Sequence, residues 1–120
     1  MPVRSLNSCV LIWPNREQVL QALQEWAEKA KAENRKLLRV GYFGSYARGD
    51  WGVGSDLDVI LILTQSDLPF ERRAAEFDLT TLPVPVDVLA YTAAEWEQLT
   101  ARQGRKPWWQ EVRWVYDYIP

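Results

Sequence analysis

Histidine is absent from this 120-residue chain. That removes imidazole, the commonest general base and metal ligand, and with it every Ser-His-Asp or Cys-His arrangement. Any chemistry must run on carboxylates, hydroxyls and basic side chains. Cysteine is nearly absent too. Cys9 stands alone, so no disulfide can form within the chain, which fits a cytoplasmic setting. No apolar run approaches the roughly 20 residues of a membrane span. The short oily patch "CVLIW" at residues 9–13 has no cleavage pattern behind it, so neither a membrane association nor a secretory leader is expected. A basic surplus is lacking as well: 14 basic residues face 16 acidic ones, and nucleic acid is not expected as a free-standing partner.

What is present is an ordinary globular balance, 48% hydrophobic and 25% charged, with enough length for one real core. A single domain over residues 1–120 is expected. Tryptophan is abundant, with 7 copies. Trp26 and Trp96 fall on helix faces and are expected in the core. Trp51, Trp108 and Trp109 sit in Gly- or Pro-flanked segments, where core packing and anchoring of a partner are equally open readings.

Periodicity orders the elements. "PNREQVLQALQEWAEKAKAENRK" reads as a helix capped by Asn15, with Gln18 three residues on and Val19, Leu20, Leu23, Trp26, Ala27 and Ala30 on one face. "LLRVGYF" is a strand that stops at Gly44, and Ser45 to Arg48 form a helical turn. "LDVILILT" is apolar on both faces after its aspartates, so it is expected at the centre of a sheet. "LPFERRAAEFDL" reads as a helix. "VPVDVLAY" is a strand that starts at Pro85 or runs along an edge. "TAAEWEQLTARQG" is a helix with a Thr92–Glu95 capping box and Gly104 as its stop. "PWWQEVRWVYDYIP" divides less clearly, into a short helix and a short strand. The sum is an α/β (α+β) chain, a small sheet with helices packed against it.

The stretch "GSYARGDWGVGSDLDVIL" carries the chemistry. Residues i and i+2 of a strand share a face, roughly 6 to 7 Å apart. Asp56 and Asp58 therefore point the same way at the strand's mouth. Close carboxylates in a partly dry site repel unless a cation is present. Asp87 sits among valines in its own strand, where aspartate is depleted. If the two strands are neighbours, Asp87 completes a cluster of three. A ligand set of oxygens alone suits Mg²⁺ or Mn²⁺. Gly44 lets the backbone approach a ligand, and Ser45 can cap the helical turn, whose N–H groups bind an anion such as phosphate. Singly, each of these residues is an ordinary loop or cap residue. Together they describe a nucleoside triphosphate site in which two metals clamp a displacement at phosphorus.

Gly44-Ser45, ten residues, then Asp56-Leu57-Asp58, with "VDVLAY" downstream, resembles the DNA polymerase beta-like nucleotidyltransferase superfamily. Within it the chain looks like a minimal nucleotidyltransferase (MNT), by motif over residues 37–91. The resemblance implies a mixed sheet flanked by helices and two Mg²⁺ ions. It also implies transfer of a nucleoside monophosphate, AMP from ATP, with loss of pyrophosphate. By motif position Asp56 and Asp58 would bind both metals. Asp87 would bind the catalytic metal and help deprotonate the acceptor hydroxyl. Ser45 and the Gly44 backbone would hold the β- and γ-phosphates. Arg48 would assist with phosphate charge or form a surface salt bridge. Asp50 and Trp51 receive no role.

A core this short leaves little room for an acceptor-holding module. The resemblance points to HEPN–MNT toxin–antitoxin pairs, in which the MNT protein adds AMP to a tyrosine of the HEPN ribonuclease. A HEPN-family partner, in a homo- or hetero-oligomer, is therefore expected. Fold and motif do not fix the acceptor. Transfer to a small molecule or to RNA, and a non-catalytic antitoxin that acts by contact alone, are the competing classes.

Overall fold

Asn15 begins the longest helix, α1 (Arg16–Glu33), through a reciprocal cap. Its Oδ1 accepts from the Gln18 N–H at 2.8 Å, and the Gln18 Oε1 accepts from the Asn15 N–H at 2.9 Å. The computed structural model describes residues 14–50, 52, 55–102 and 107–117. Cys9, Trp51 and Gly104 lie outside the described residues. The predicted apolar stripe of α1 is the buried one: Val19, Leu23, Ala27 and Ala30 face the core, with Leu20 and Trp26 half-buried against it. Trp26 sits where its spacing predicts, and its indole N–H donates to the Asp78 carbonyl at 2.8 Å.

Four strands form one sheet: β1 (Leu37–Phe43), β2 (Leu57–Leu63), β3 (Val86–Thr92) and β4 (Arg113–Asp117), in the order β3-β2-β1-β4. β1 runs antiparallel to β2 and β4, while β2 and β3 are parallel, so the sheet is mixed. β2 is central and almost wholly buried, as its two-faced apolar run predicts. Its Leu57, Val59, Leu61 and Leu63 join the α1 core. Period-two alternation sends Asp58, Ile60 and Ile62 to the opposite face.

That opposite face is covered by α4 (Ala93–Ala101) and by a 3₁₀ turn, Trp108–Glu111, which bring an aromatic layer over the sheet. Trp96 sits at its centre, with ring centroids 5.8 Å from Tyr91, 6.2 Å from Trp108, 6.5 Å from Trp109 and 5.7 Å from Trp114. Trp109 is half-buried in this layer, and Trp108 rests on it while staying 37% exposed. Among the described residues no helix is long and apolar enough to cross a membrane.

Two expectations need correction. The helix predicted over residues 68–79 is a single turn, α3 (Phe70–Arg73), followed by a 3₁₀ turn, Ala74–Glu76. Phe77 is extended, and Asp78 accepts from the Thr80 N–H at 3.0 Å, a local turn that competes with helix continuation. α4 keeps its predicted Thr92–Glu95 capping box but ends at Ala101, with Arg102 as C-cap.

Candidate active site

β1 ends at Phe43, and the chain reverses through Gly44 into α2 (Ser45–Arg48). Ser45 is expected to cap this turn, but the structure gives the cap to Gly44, at φ +74°, with no side-chain hydrogen bond. Ser45 is the first helical residue, half-buried. The Ala47 and Arg48 N–H groups both return to the Gly44 carbonyl, at 3.0 Å each. The first N–H groups of any helix have no partner within it. Tyr46, fully buried, anchors the turn, and its carbonyl accepts from the Arg16 guanidinium at 3.0 Å. The sequence reading missed Arg16. Only the fold brings it 30 residues along to α2.

Gly44 has a second reason to be glycine. A Cβ there would lie 2.2 Å from the Asp58 Oδ2. Phe43 and Asp58 are register partners across β1 and β2, so the Asp58 carboxylate leans over the start of α2. Gly44→Ala should therefore displace Asp58 and strain the backbone together. Gly49, also at positive φ (+89°) but with open space around it, isolates the strain alone, about 1–2 kcal/mol. Urea unfolding should show the larger loss for Gly44→Ala than for Gly49→Ala. Equal losses would mean that Asp58 yields freely.

Asp87 answers the condition left open by the sequence. β2 and β3 are neighbours, and Asp58 pairs with Asp87 in parallel register. Parallel partners direct their side chains to the same face, so the two carboxylates stand side by side. Asp87 is exposed in spite of its valine neighbours, because β3 is the sheet edge and its side chains alternate. Asp56, also exposed, precedes β2. Burial pushes the half-buried Asp58 carboxyl up from its ordinary range. Asp87, then Asp56, push it further, and Arg48 pulls it down.

The donor set fits a hard divalent cation in chemistry: it is all oxygen, and its mutual repulsion would be relieved by positive charge. As placed, no three acidic, histidine or cysteine side chains among the described residues are gathered tightly enough to form a metal site.

Arg48 makes the surface ion pairs, with Asp50 at 3.1 Å and Glu111 at 3.4 Å. Beside α2 lies a groove of about 400 Å³ lined by Ala47, Arg48, Gln110, Glu111, Val112 and Arg113. Arg113 adds a second guanidinium that the sequence reading did not single out. Two other hollows, around Trp26–Phe77 and around Leu82–Val88, lie on the α1 side of the sheet and include none of the three aspartates.

Comparison with known proteins agrees with this geometry at the level of family and fold. The family model for nucleotidyltransferase domains matches residues 21–109, which include Gly44-Ser45, Asp56, Asp58 and Asp87. A solved structure from Sulfolobus solfataricus, assigned as a nucleotidyltransferase, is 23% identical with a TM-score of 0.58, over 69% of this chain and 75% of its own. At that identity the likeness is one of fold. A toxin–antitoxin structure solved with AMP-PNP is 22% identical over 64% of this chain and 57% of its own, with a TM-score of 0.38. No curated protein matches the chain. The family implies a nucleoside triphosphate substrate and a divalent metal in general. By the match over most of its length, and by the motif it carries there, the chain belongs to the family of nucleotidyltransferase domains.

Proposed function

We propose that the chain transfers AMP from ATP to a tyrosine of a HEPN-family ribonuclease partner and so acts as its antitoxin. The observation that carries the catalytic part is the pairing of Asp58 with Asp87 across parallel strands, with the Asp58 carboxylate over Gly44. Asp56, Asp58 and Asp87 would hold divalent ions, Mg²⁺ by their hard oxygen donors. Bound there, the ions supply charge neutralisation along the triphosphate.

The remaining work belongs to the chain's own groups. Ser45 and the backbone at Gly44 hold the β- and γ-phosphates at the start of α2. Arg48, already beside Asp58 electrostatically, exchanges a carboxylate partner for phosphate oxygen. Asp87, exposed on the edge strand, would accept the proton of an incoming hydroxyl. The partner and the tyrosine follow from the sequence resemblance to MNT antitoxins, and the cytoplasmic setting from the lone cysteine.

The test is transfer in the presence of the partner. The protein, Mg²⁺, each labelled nucleoside triphosphate in turn and the HEPN partner should give label on the partner from ATP, with a mass increase of one AMP on tyrosine. Asp87→Ala should abolish the label. Full neutralisation of the partner by Asp87→Ala would mean that contact alone suffices. Label on a small-molecule alcohol or RNA, with the partner untouched, would move the acceptor to those classes.

A further inference from the structure

Among the described residues, three large apolar side chains are exposed: Leu68 (36%), Phe70 (38%) and Trp108 (37%). They differ in what lies beside them. Phe70 packs on Tyr91, 5.0 Å between centroids, and Tyr91 stands four residues along β3 from Asp87. Trp108 packs on Phe43, 5.0 Å away, and Phe43 is the register partner of Asp58. Of the three, only Trp108 has a ring contact with the register partner of Asp58. Its indole also meets Tyr91 at 6.4 Å, nearly stacked, and Trp96 at 6.2 Å, edge-on. Three rings fix its position, while over a third of it stays in contact with water. A flat apolar surface held rigidly beside a polar site is suited to stacking against another planar ring.

We propose that Trp108 is a positioning residue, a stacking platform for a planar ring of the substrate held at Asp58 and Asp87. This role rests on the nucleotidyltransferase reading of that site. Two sources supply such a ring: the base of the nucleoside triphosphate and the aromatic side chain of the acceptor. Both present the same chemistry to the indole, and stacking is tolerant of ring identity because every base has a π-face.

Trp108→Leu keeps apolar bulk over the sheet and removes the stacking face. Trp108→Phe keeps a ring and serves as the rescue. Circular dichroism and thermal melts establish that both variants fold. Three quantities are then measured: KM and kcat for ATP, KM for the acceptor, and metal-free binding of AMP against inorganic tripolyphosphate, followed by tryptophan fluorescence.

If the ring is the base, Trp108→Leu weakens AMP and raises the ATP KM by about ten-fold, leaves tripolyphosphate unchanged, and Trp108→Phe recovers most of the loss. If the ring belongs to the acceptor, the ATP values stay put and the acceptor KM rises by a similar factor. Unchanged KM values for both substrates in a folded Trp108→Leu protein overturn the platform while leaving the site reading intact. A parent protein that binds no nucleoside triphosphate brings down both.

Discussion

An Asp58→Asn protein should transfer nucleotide at least about a thousand-fold more slowly than the parent, roughly 4 kcal/mol of lost barrier stabilisation. In metal-free buffer at pH 7 it should also melt at a higher temperature. Both expectations come from the same place in the fold. Asp58 is the half-buried member of the acidic set, in register with Asp87 and leaning over Gly44. Asparagine keeps its size and loses the charge that would hold a cation.

The stability effect follows from the direction in which Asp58 is shifted. Burial, then Asp87 and Asp56, raise its carboxyl above the ordinary range. A group raised on folding favours the folded state when protonated, and that contribution is lost as pH rises through the folded value. At pH 7 the ionised Asp58 therefore works against the fold, and Asp58→Asn relieves it. Below about pH 4, where the unfolded carboxyl also takes its proton, the two proteins should converge. Wild-type transfer rates in Asp58→Asn would remove this residue from the site. A lower melting temperature at pH 7 would mean that its carboxylate contributes a stabilising contact.

The local signals in this chain were the legible ones. Both capping boxes, Asn15–Gln18 and Thr92–Glu95, appear as the spacing predicts, because a cap is settled within four residues. β2 is central, as its two-faced apolar run predicts, and β3 is an edge strand that starts just after Pro85. The Asp58–Asp87 pairing was legible only as a condition, since it depends on which strands are neighbours, and strand order is a property of the whole sheet. Ser45 looks like a cap because of its hydroxyl. Gly44 takes the place because the turn needs positive φ and no Cβ beneath Asp58. Trp108 and Trp109 could not be divided between core and surface from their flanks, since both join a layer built from β1, β3, α4 and β4. The helix expected over residues 68–79 shortened to one turn and a 3₁₀ turn, ended by extended Phe77 and the Asp78–Thr80 turn, and its Arg73 turns inward to acceptors on other elements.

Those acceptors make Glu95 the place where the fold should be most sensitive to loss of a single charge. Glu95→Ala should lower the unfolding free energy by about 2–3 kcal/mol in urea titrations at pH 7. About 1 kcal/mol of that is the α4 cap, in which the Glu95 Oε1 accepts from the Thr92 N–H at 2.9 Å. The rest comes from Arg73, whose side chain is 8% exposed. Its guanidinium donates to both Glu95 carboxylate oxygens, the Nη2 bond at 3.1 Å, and also to the Leu68 and Ala90 carbonyls. Charge-assisted bonds contribute about 1.5–3 kcal/mol, and the low end applies because Glu95 is 41% exposed and water shares its charge. The Arg73→Met, Glu95→Gln double variant removes both charges, keeps bulk and leaves an amide able to cap, so it should recover most of the loss. The pair also fixes an acid limit. Its hydrogen bond to Arg73 holds the Glu95 carboxyl below the ordinary range. A carboxyl lowered on folding stabilises above its unfolded value, about 4.3, and that stability disappears as pH falls through the folded value. Acid titration of the parent should therefore show an unfolding arm below about pH 4 that is shallower in the double variant. A Glu95→Ala protein within about 0.5 kcal/mol of the parent would show that the two carbonyls alone satisfy Arg73.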